Sequence, residues 1–280
     1  MREFTSFRAG GKASVLVTAE NTDELGYIFS CIGEFDADYI FLGNGSNILV
    51  RDGGFEGLIL KLGNAFSKIT VSGNTIRAGA AALLSSVSRE AQANSLTGFE
   101  FASGIPGSVG GALFMNAGAY DGEISQVVKS ASVRSADGKI ITLQPKNMDF
   151  SYRHSRFQTG EEIVLEAEFE LSPGNPDEIL AKMKELAAKR NSKQPVQLPS
   201  AGSFFKRPPG NFAGKLIQDA GLKGLSVGDA QVSPLHAGFI VNNGHATASD
   251  ITKLMGLVQN TVYDRFGVML EPEVRIIGKE

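Results

Sequence analysis

Apolar and polar positions repeat along this chain with two periods, and each period predicts a kind of element. Residues 14–18 read as a strand. Residues 21–32 predict a helix, with Asn21 as its cap, Glu24 three residues on, and Leu25, Ile28 and Phe29 facing inward. The stretches 39–42, 47–50 and 58–62 are short β-rich runs broken by glycines. Residues 69–78 predict a hairpin, and 82–94 a helix with Leu83, Leu84, Val87 and Ala91 on one side. A second hairpin is expected over 127–143 about Asp137-Gly138, a pair suited to a primed turn. Ile163, Leu165, Ala167, Phe169 and Leu171 then alternate with mostly polar residues, as in a half-buried strand.

Ser172-Pro173-Gly174-Asn175-Pro176 is the clearest boundary. Behind it, 177–193 predicts an amphipathic helix carrying Ile179, Leu180, Met183, Leu186 and Ala187. Another is expected over 249–266, with Ile251, Leu254, Met255, Val258 and Val262, and Gly267 where a left-handed residue ends a helix. Strands follow at 238–242 and 274–277. Strands and helices do not alternate as regular βαβ units, so the expected class is α+β.

Composition narrows the picture. The chain has 280 residues, 42% of them apolar, enough for two or three subdomains with real cores. A net charge of −3 does not suggest a general binder of nucleic acid or membranes, although a local basic patch would still hold phosphates. Cys31 is the one cysteine, and His154, His236 and His245 lie too far apart for a metal site. No apolar leader or membrane-length run is visible, so a cytoplasmic protein is expected. The 33 glycines are clustered rather than spread.

Two clusters stand out. Gly43-Asn44-Gly45-Ser46-Asn47 lies between two short strands, where successive N–H groups make an anion-binding concavity. It is neither a Walker loop nor a Rossmann fingerprint. Taken alone it is also an ordinary tight turn. The second, Gly104-Ile105-Pro106-Gly107-Ser108-Val109-Gly110-Gly111 with Asn116 beyond it, offers little side chain to pack. Such a bare stretch suits a flat ring laid against main chain, and Ile105, Val109, Leu113 and Phe114 predict that it is buried. The alternative is an elaborate loop between helix and strand.

Three polar groups follow. Tyr152-Arg153-His154-Ser155 offers an arginine for bidentate contact with a carboxylate. Gly202-Ser203-Phe204-Phe205-Lys206-Arg207 suggests a hydroxyl presented at a pocket wall, outside any hydrolase elbow. Glu271-Pro272-Glu273-Val274-Arg275 opens the last strand, with Glu273 and Arg275 on one face. Each, in isolation, is equally read as surface charge or a packed turn.

Together these segments resemble the UDP-N-acetylenolpyruvoylglucosamine reductase family, from Thr5-Ser6-Phe7-Arg8 to Gly278, with Ala213-Gly214-Lys215-Leu216-Ile217 and His236-Ala237-Gly238-Phe239-Ile240 also similar. The resemblance implies a two-part FAD-binding domain of the vanillyl-alcohol-oxidase (PCMH) type over 1–172, divided at about 62/63. It further implies an α+β substrate-binding domain over 177–268 and a terminal strand, 269–280, returning to the flavin domain. It places non-covalent FAD on Gly43, Asn44, Gly45, Ser46 and Asn47 (diphosphate), and on Gly104, Ile105, Pro106, Gly107, Ser108, Val109, Gly110, Gly111 and Asn116 (ring). It makes Arg153, Ser203 and Glu273 catalytic, with Tyr152 at the substrate. Lys206, Arg207 and Lys215 are candidates for the substrate diphosphate on charge alone. The implied partners are NADPH and UDP-N-acetylglucosamine enolpyruvate, acting on a monomer in cell-wall precursor synthesis. Some members carry an inserted tyrosine that closes over substrate. Only 50 residues separate Arg153 from Ser203, and none is tyrosine, so this chain is similar to the compact subgroup. The rival readings are an oxidase of the same flavin fold and a non-catalytic flavin binder.

Overall fold

A computed structural model describes residues 1–160 and 162–280. They form two compact units, neither continuous in sequence. The middle unit holds 17–44 and 59–189; the terminal unit holds 1–16, 45–58 and 190–280. The expected linker at 172–176 is not their border, which falls near the end of a helix, between Lys189 and Arg190. The class is α+β.

In the middle unit a five-stranded antiparallel sheet runs Ile140–Leu143, Val128–Arg134, Ile163–Glu170, Thr75–Gly79, Ile69–Ser72. The alternation along Ile163–Glu170 sends Leu165, Ala167 and Phe169 inward, while Glu166 and Glu168 face out toward Arg77. Phe99 packs edge-on against Phe169 at 4.9 Å in the core. Helix α1 (Thr22–Phe35) is capped by Asn21, whose side chain accepts the Glu24 N–H, and it ends at left-handed Asp36. Helix α2 spans Leu84–Ala93. Leu83, expected on its buried side, is instead extended and exposed at the cap position, bridging to Ser108. The hairpin turn also differs from expectation. Only Gly138 has positive φ, and the loop closes through Ser135 and Lys139 rather than as a two-residue primed turn.

A short helix, α3 (Val109–Met115), occupies part of the second glycine stretch. Ser108 starts it by accepting the Gly111 N–H. Gly110 fits because a Cβ there would lie 3.1 Å from the Ala80 Cβ, so backbone has replaced side chain at this contact. Helix α4 (Pro176–Lys193) buries Ile179 and Leu186; Ala187 is exposed.

The terminal unit has a four-stranded antiparallel sheet ordered Ser200–Ser203, Phe239–Asn242, Ala230–Val232, Ser226–Val227. Helices α5 (Ala213–Asp219) and α6 (Ala248–Phe266) complete its core, with Ile251, Leu254, Val258 and Val262 of α6 all buried. Gly267 ends α6 at φ +68°. The last strand, Arg275–Ile277, lies parallel to Ile48–Val50.

Candidate functional site

Gly43 and Asn44 meet the second glycine-rich segment within the middle unit. Asn44 Nδ2 donates to the Pro106 carbonyl at 2.8 Å, and a Cβ on Gly43 would lie 2.8 Å from Ser108 Oγ. The second segment is stapled to the chain before α2: Leu84 N–H bonds the Gly107 carbonyl, Val109 N–H that of Ala82, and Gly110 N–H that of Ala80. Val109 and Leu113 are buried, whereas Ile105 is half-buried and Gly104 and Pro106 are exposed. Of the four apolar residues expected to be buried, Val109 and Leu113 are, while Ile105 and Phe114 are half-buried and Gly111 is exposed. Among the described residues, the backbone N–H groups of Gly43, Asn44, Gly45 and Ser46 meet no protein acceptor. Consecutive donors of this kind fit an anionic group such as a diphosphate.

Arg153 and Tyr152 form the tip of a tight turn, closed by backbone hydrogen bonds between Ser151 and His154. Arg153 is left-handed (φ +55°) and donates from Nη2 to the Gly118 carbonyl at 3.1 Å. Its guanidinium lies over the Tyr152 ring, 5.1 Å from the centroid. Asn116 is buried, and its side chain spans the Ser151 carbonyl and the Ser125 N–H rather than projecting from the surface.

In the terminal unit the structure brings Ser203 and Glu273 together through main chain. Glu273 N–H donates to the Phe204 carbonyl at 2.8 Å, and Phe205 bridges Pro272. A bulge at Gly202 (φ +77°) sets Ser203 opposite Phe239 with its side chain exposed, while Phe204 and Phe205 are buried. Asn47 ties in from the first glycine segment: its Nδ2 donates to the Glu273 carbonyl (3.1 Å) and its own carbonyl accepts the Arg275 N–H. Gly45, at φ +65°, accepts from the Ser6 N–H, and a Cβ there would strike the Phe4 carbonyl. Burial holds the Arg275 guanidinium below its ordinary pKa.

The three cations proposed for a substrate diphosphate each have a protein partner. Lys206 pairs with Glu271, Lys215 with Asp219, and Arg207 lies 4.4 Å over the Phe212 ring. Sequence reasoning missed several residues that shape these turns. His236 Nδ1 accepts the Gly238 N–H, and the Gly238 carbonyl in turn accepts the Phe204 N–H, so the imidazole supports the strand end next to Ser203. Burial lowers its pKa. Gln158 was missed too. Its contacts are to the carbonyl groups of Phe114, distant in sequence, and of Arg153, five residues before it, and no periodicity records those.

Residues 13–144 match the model of the FAD binding domain family, and residues 194–277 match that of the UDP-N-acetylenolpyruvoylglucosamine reductase C-terminal domain. Over all 280 residues the chain is 52% identical to the UDP-N-acetylenolpyruvoylglucosamine reductase of Clostridium botulinum (strain Alaska E43), covering 92% of it. It is 50% identical to UDP-N-acetylenolpyruvoylglucosamine reductase 2 of Bacillus cereus (strain ATCC 14579), again covering 92%. The crystal structure of the UDP-N-acetylenolpyruvylglucosamine reductase from Thermus caldophilus is similar at a TM-score of 0.86 and 36% identity, over 99% of this chain and 97% of that one.

Proposed function

The chain belongs to the UDP-N-acetylenolpyruvoylglucosamine reductase family, and on that premise we propose that it reduces UDP-N-acetylglucosamine enolpyruvate to UDP-N-acetylmuramate with NADPH through FAD, for peptidoglycan synthesis. The observation that carries this reading is the 52% identity, over all 280 residues, to a reductase of that name, with residues 194–277 matching that family's C-terminal domain.

When bound, FAD supplies the two-electron relay that takes hydride from NADPH and passes it to the β-carbon of the enolpyruvyl ether. Gly43, Asn44, Gly45, Ser46 and Asn47 would hold its diphosphate, in keeping with the unmet N–H groups of Gly43 to Ser46. The stretch from Gly104 to Gly111, with Asn116, would hold its ring. Arg153 grips the substrate carboxylate and polarises it as negative charge spreads into it. Glu273 holds the same carboxylate as a neutral acid or through water. Ser203 then gives its proton to the α-carbon and is reprotonated from solvent, so the double bond gains one hydride and one proton. A serine hydroxyl is a poor acid, but the enolate-like species is a strong base. Tyr152, Lys206, Arg207 and Lys215 contact the nucleotide sugar. Residues 1–172 serve FAD and residues 177–268 the sugar nucleotide, in a monomer working in the cytoplasm.

The visible spectrum of the purified protein tests this. NADPH should bleach a yellow, non-covalent flavin, and the enolpyruvyl nucleotide should restore the colour without peroxide and yield the lactyl ether. A colourless protein that takes up no FAD, or peroxide formed from an alcohol, overturns it.

A further inference from the structure

Arg153 stands on a turn that its own residue type disfavours. A left-handed arginine has no glycine freedom, and such a conformation persists only where its surroundings over-determine it. The end of α3 provides those surroundings. Asn116 Nδ2 donates to the Ser151 carbonyl at 3.1 Å, and Ser155 Oγ donates to the Phe114 carbonyl at 2.8 Å. Between them lies Gln158. Its Nε2 donates to the Arg153 carbonyl and to the Phe114 carbonyl, each at 3.0 Å, with the Met115 sulfur at 3.7 Å. A carboxamide nitrogen carries two hydrogens. One satisfies the residue that bears the guanidinium; the other satisfies a carbonyl in the last turn of α3, where the helix itself offers no donor. Glutamate has no donor for these carbonyls, and lysine would set a second cation beside the guanidinium.

We propose that Gln158 is a positioning residue for Arg153: its carboxamide pins the Tyr152–Arg153 turn to the end of α3 and so fixes the guanidinium where the substrate carboxylate arrives. This rests on the role of Arg153 given above.

The test uses full-length holoenzyme and Gln158→Met, which keeps length and bulk and removes both donors. Flavin content and the rate of bleaching by NADPH should stay at wild-type values. Reoxidation of the reduced enzyme by the enolpyruvyl nucleotide should slow by about 10- to 100-fold, the scale expected for misplacing a catalytic group by an ångström or less. In an Arg153→Ala background the same substitution should add no further slowing, because the pin would have nothing left to aim. Equal slowing of both half-reactions, an unchanged reoxidation rate, or full multiplicative slowing on top of Arg153→Ala overturns the proposal. If Arg153→Ala alone leaves reoxidation intact, the role of Arg153 falls first and the pin falls with it. Should Gln158→Met fail to retain FAD, Gln158→Glu keeps the shape without the donors. It must then show the same selective loss, and a normal reoxidation rate refutes the pin.

Discussion

The Ser203 hydroxyl is exposed beyond a bulge, between two buried phenylalanines and the Glu273 main chain, so its chemistry is separable from its packing. If it protonates the α-carbon, it matters only after hydride has left the flavin. Ser203→Ala should therefore bind FAD and be bleached by NADPH normally, while substrate reoxidises the flavin ~10²–10⁴-fold more slowly. Stopped-flow absorbance of each half-reaction measures this, and equal slowing of both removes Ser203 from the role. His236 gives a pH prediction. Burial lowers its pKa in the folded state, so just below the ordinary imidazole value of 6.5 the unfolded chain takes up a proton that the folded one refuses. Stability from this group is complete above that value and is lost as pH falls through it. Protonation would also cost Nδ1 its bond from Gly238. Thermal midpoints from pH 7.5 to 5 should fall more steeply for wild type than for His236→Gln; parallel curves would show that His236 does not contribute. Of these residues, Ser203 was singled out because glycine, serine and paired phenylalanines form a distinctive run. His236 and Gln158 were not, since each acts through carbonyl and amide groups that any residue could supply.

At the scale of elements, the helices most open to sequence reading carried their own stop and start signals. Asn21 caps α1 and Gly267 ends α6, both as their residue types predict. Helix α3 was hidden because it carries two glycines, normally helix-weakening, one of which, Gly110, lets main chain touch Ala80. The start of α6 has a second support that lies far off in sequence. Thr247 and Asp250 form a capping box, and Asp52 reaches in to accept the N–H groups of Ala248 (2.9 Å) and Ser249 (2.7 Å). A carboxylate there satisfies two orphan donors and opposes the helix dipole. Asp52→Ala should cost about 0.5–2 kcal/mol, in the range of helix-cap losses, with flavin reduction by NADPH unchanged. Urea unfolding would measure it, and an unchanged midpoint would mean that water replaces the carboxylate without loss.

For the whole molecule, the division into units could not be read from composition. The Pro- and Gly-rich 172–176 segment looks like a border, yet α4 beyond it belongs to the middle unit as far as Lys189. Contact between segments far apart in sequence sets the true border, as when Ile48–Val50 takes Arg275–Ile277 as its neighbour. A chain ending at Gly267 should lose the burial of Leu270 and Val274 as well as that strand. At about 1.5–3 kcal/mol for each side chain, the loss is a large part of a typical domain's stability. Its terminal unit should unfold at lower urea while the middle unit keeps its midpoint; an unaltered first transition would show the last strand to be dispensable. The same pairing bears on how the protein is made. Nearly all of the middle unit's sequence has been synthesised by Lys189, and its sheet can close while translation continues. Residues 1–16 and 45–58 emerge early but find their core only after residue 200, where Phe204, Ile217 and Ile251 join Phe7 and Leu49, and the partner strand of Ile48–Val50 comes last. Until then the apolar Ile48–Val50 edge waits without its partner strand, so the interval between synthesis of the first segment and the last is when a nascent chain most needs a chaperone.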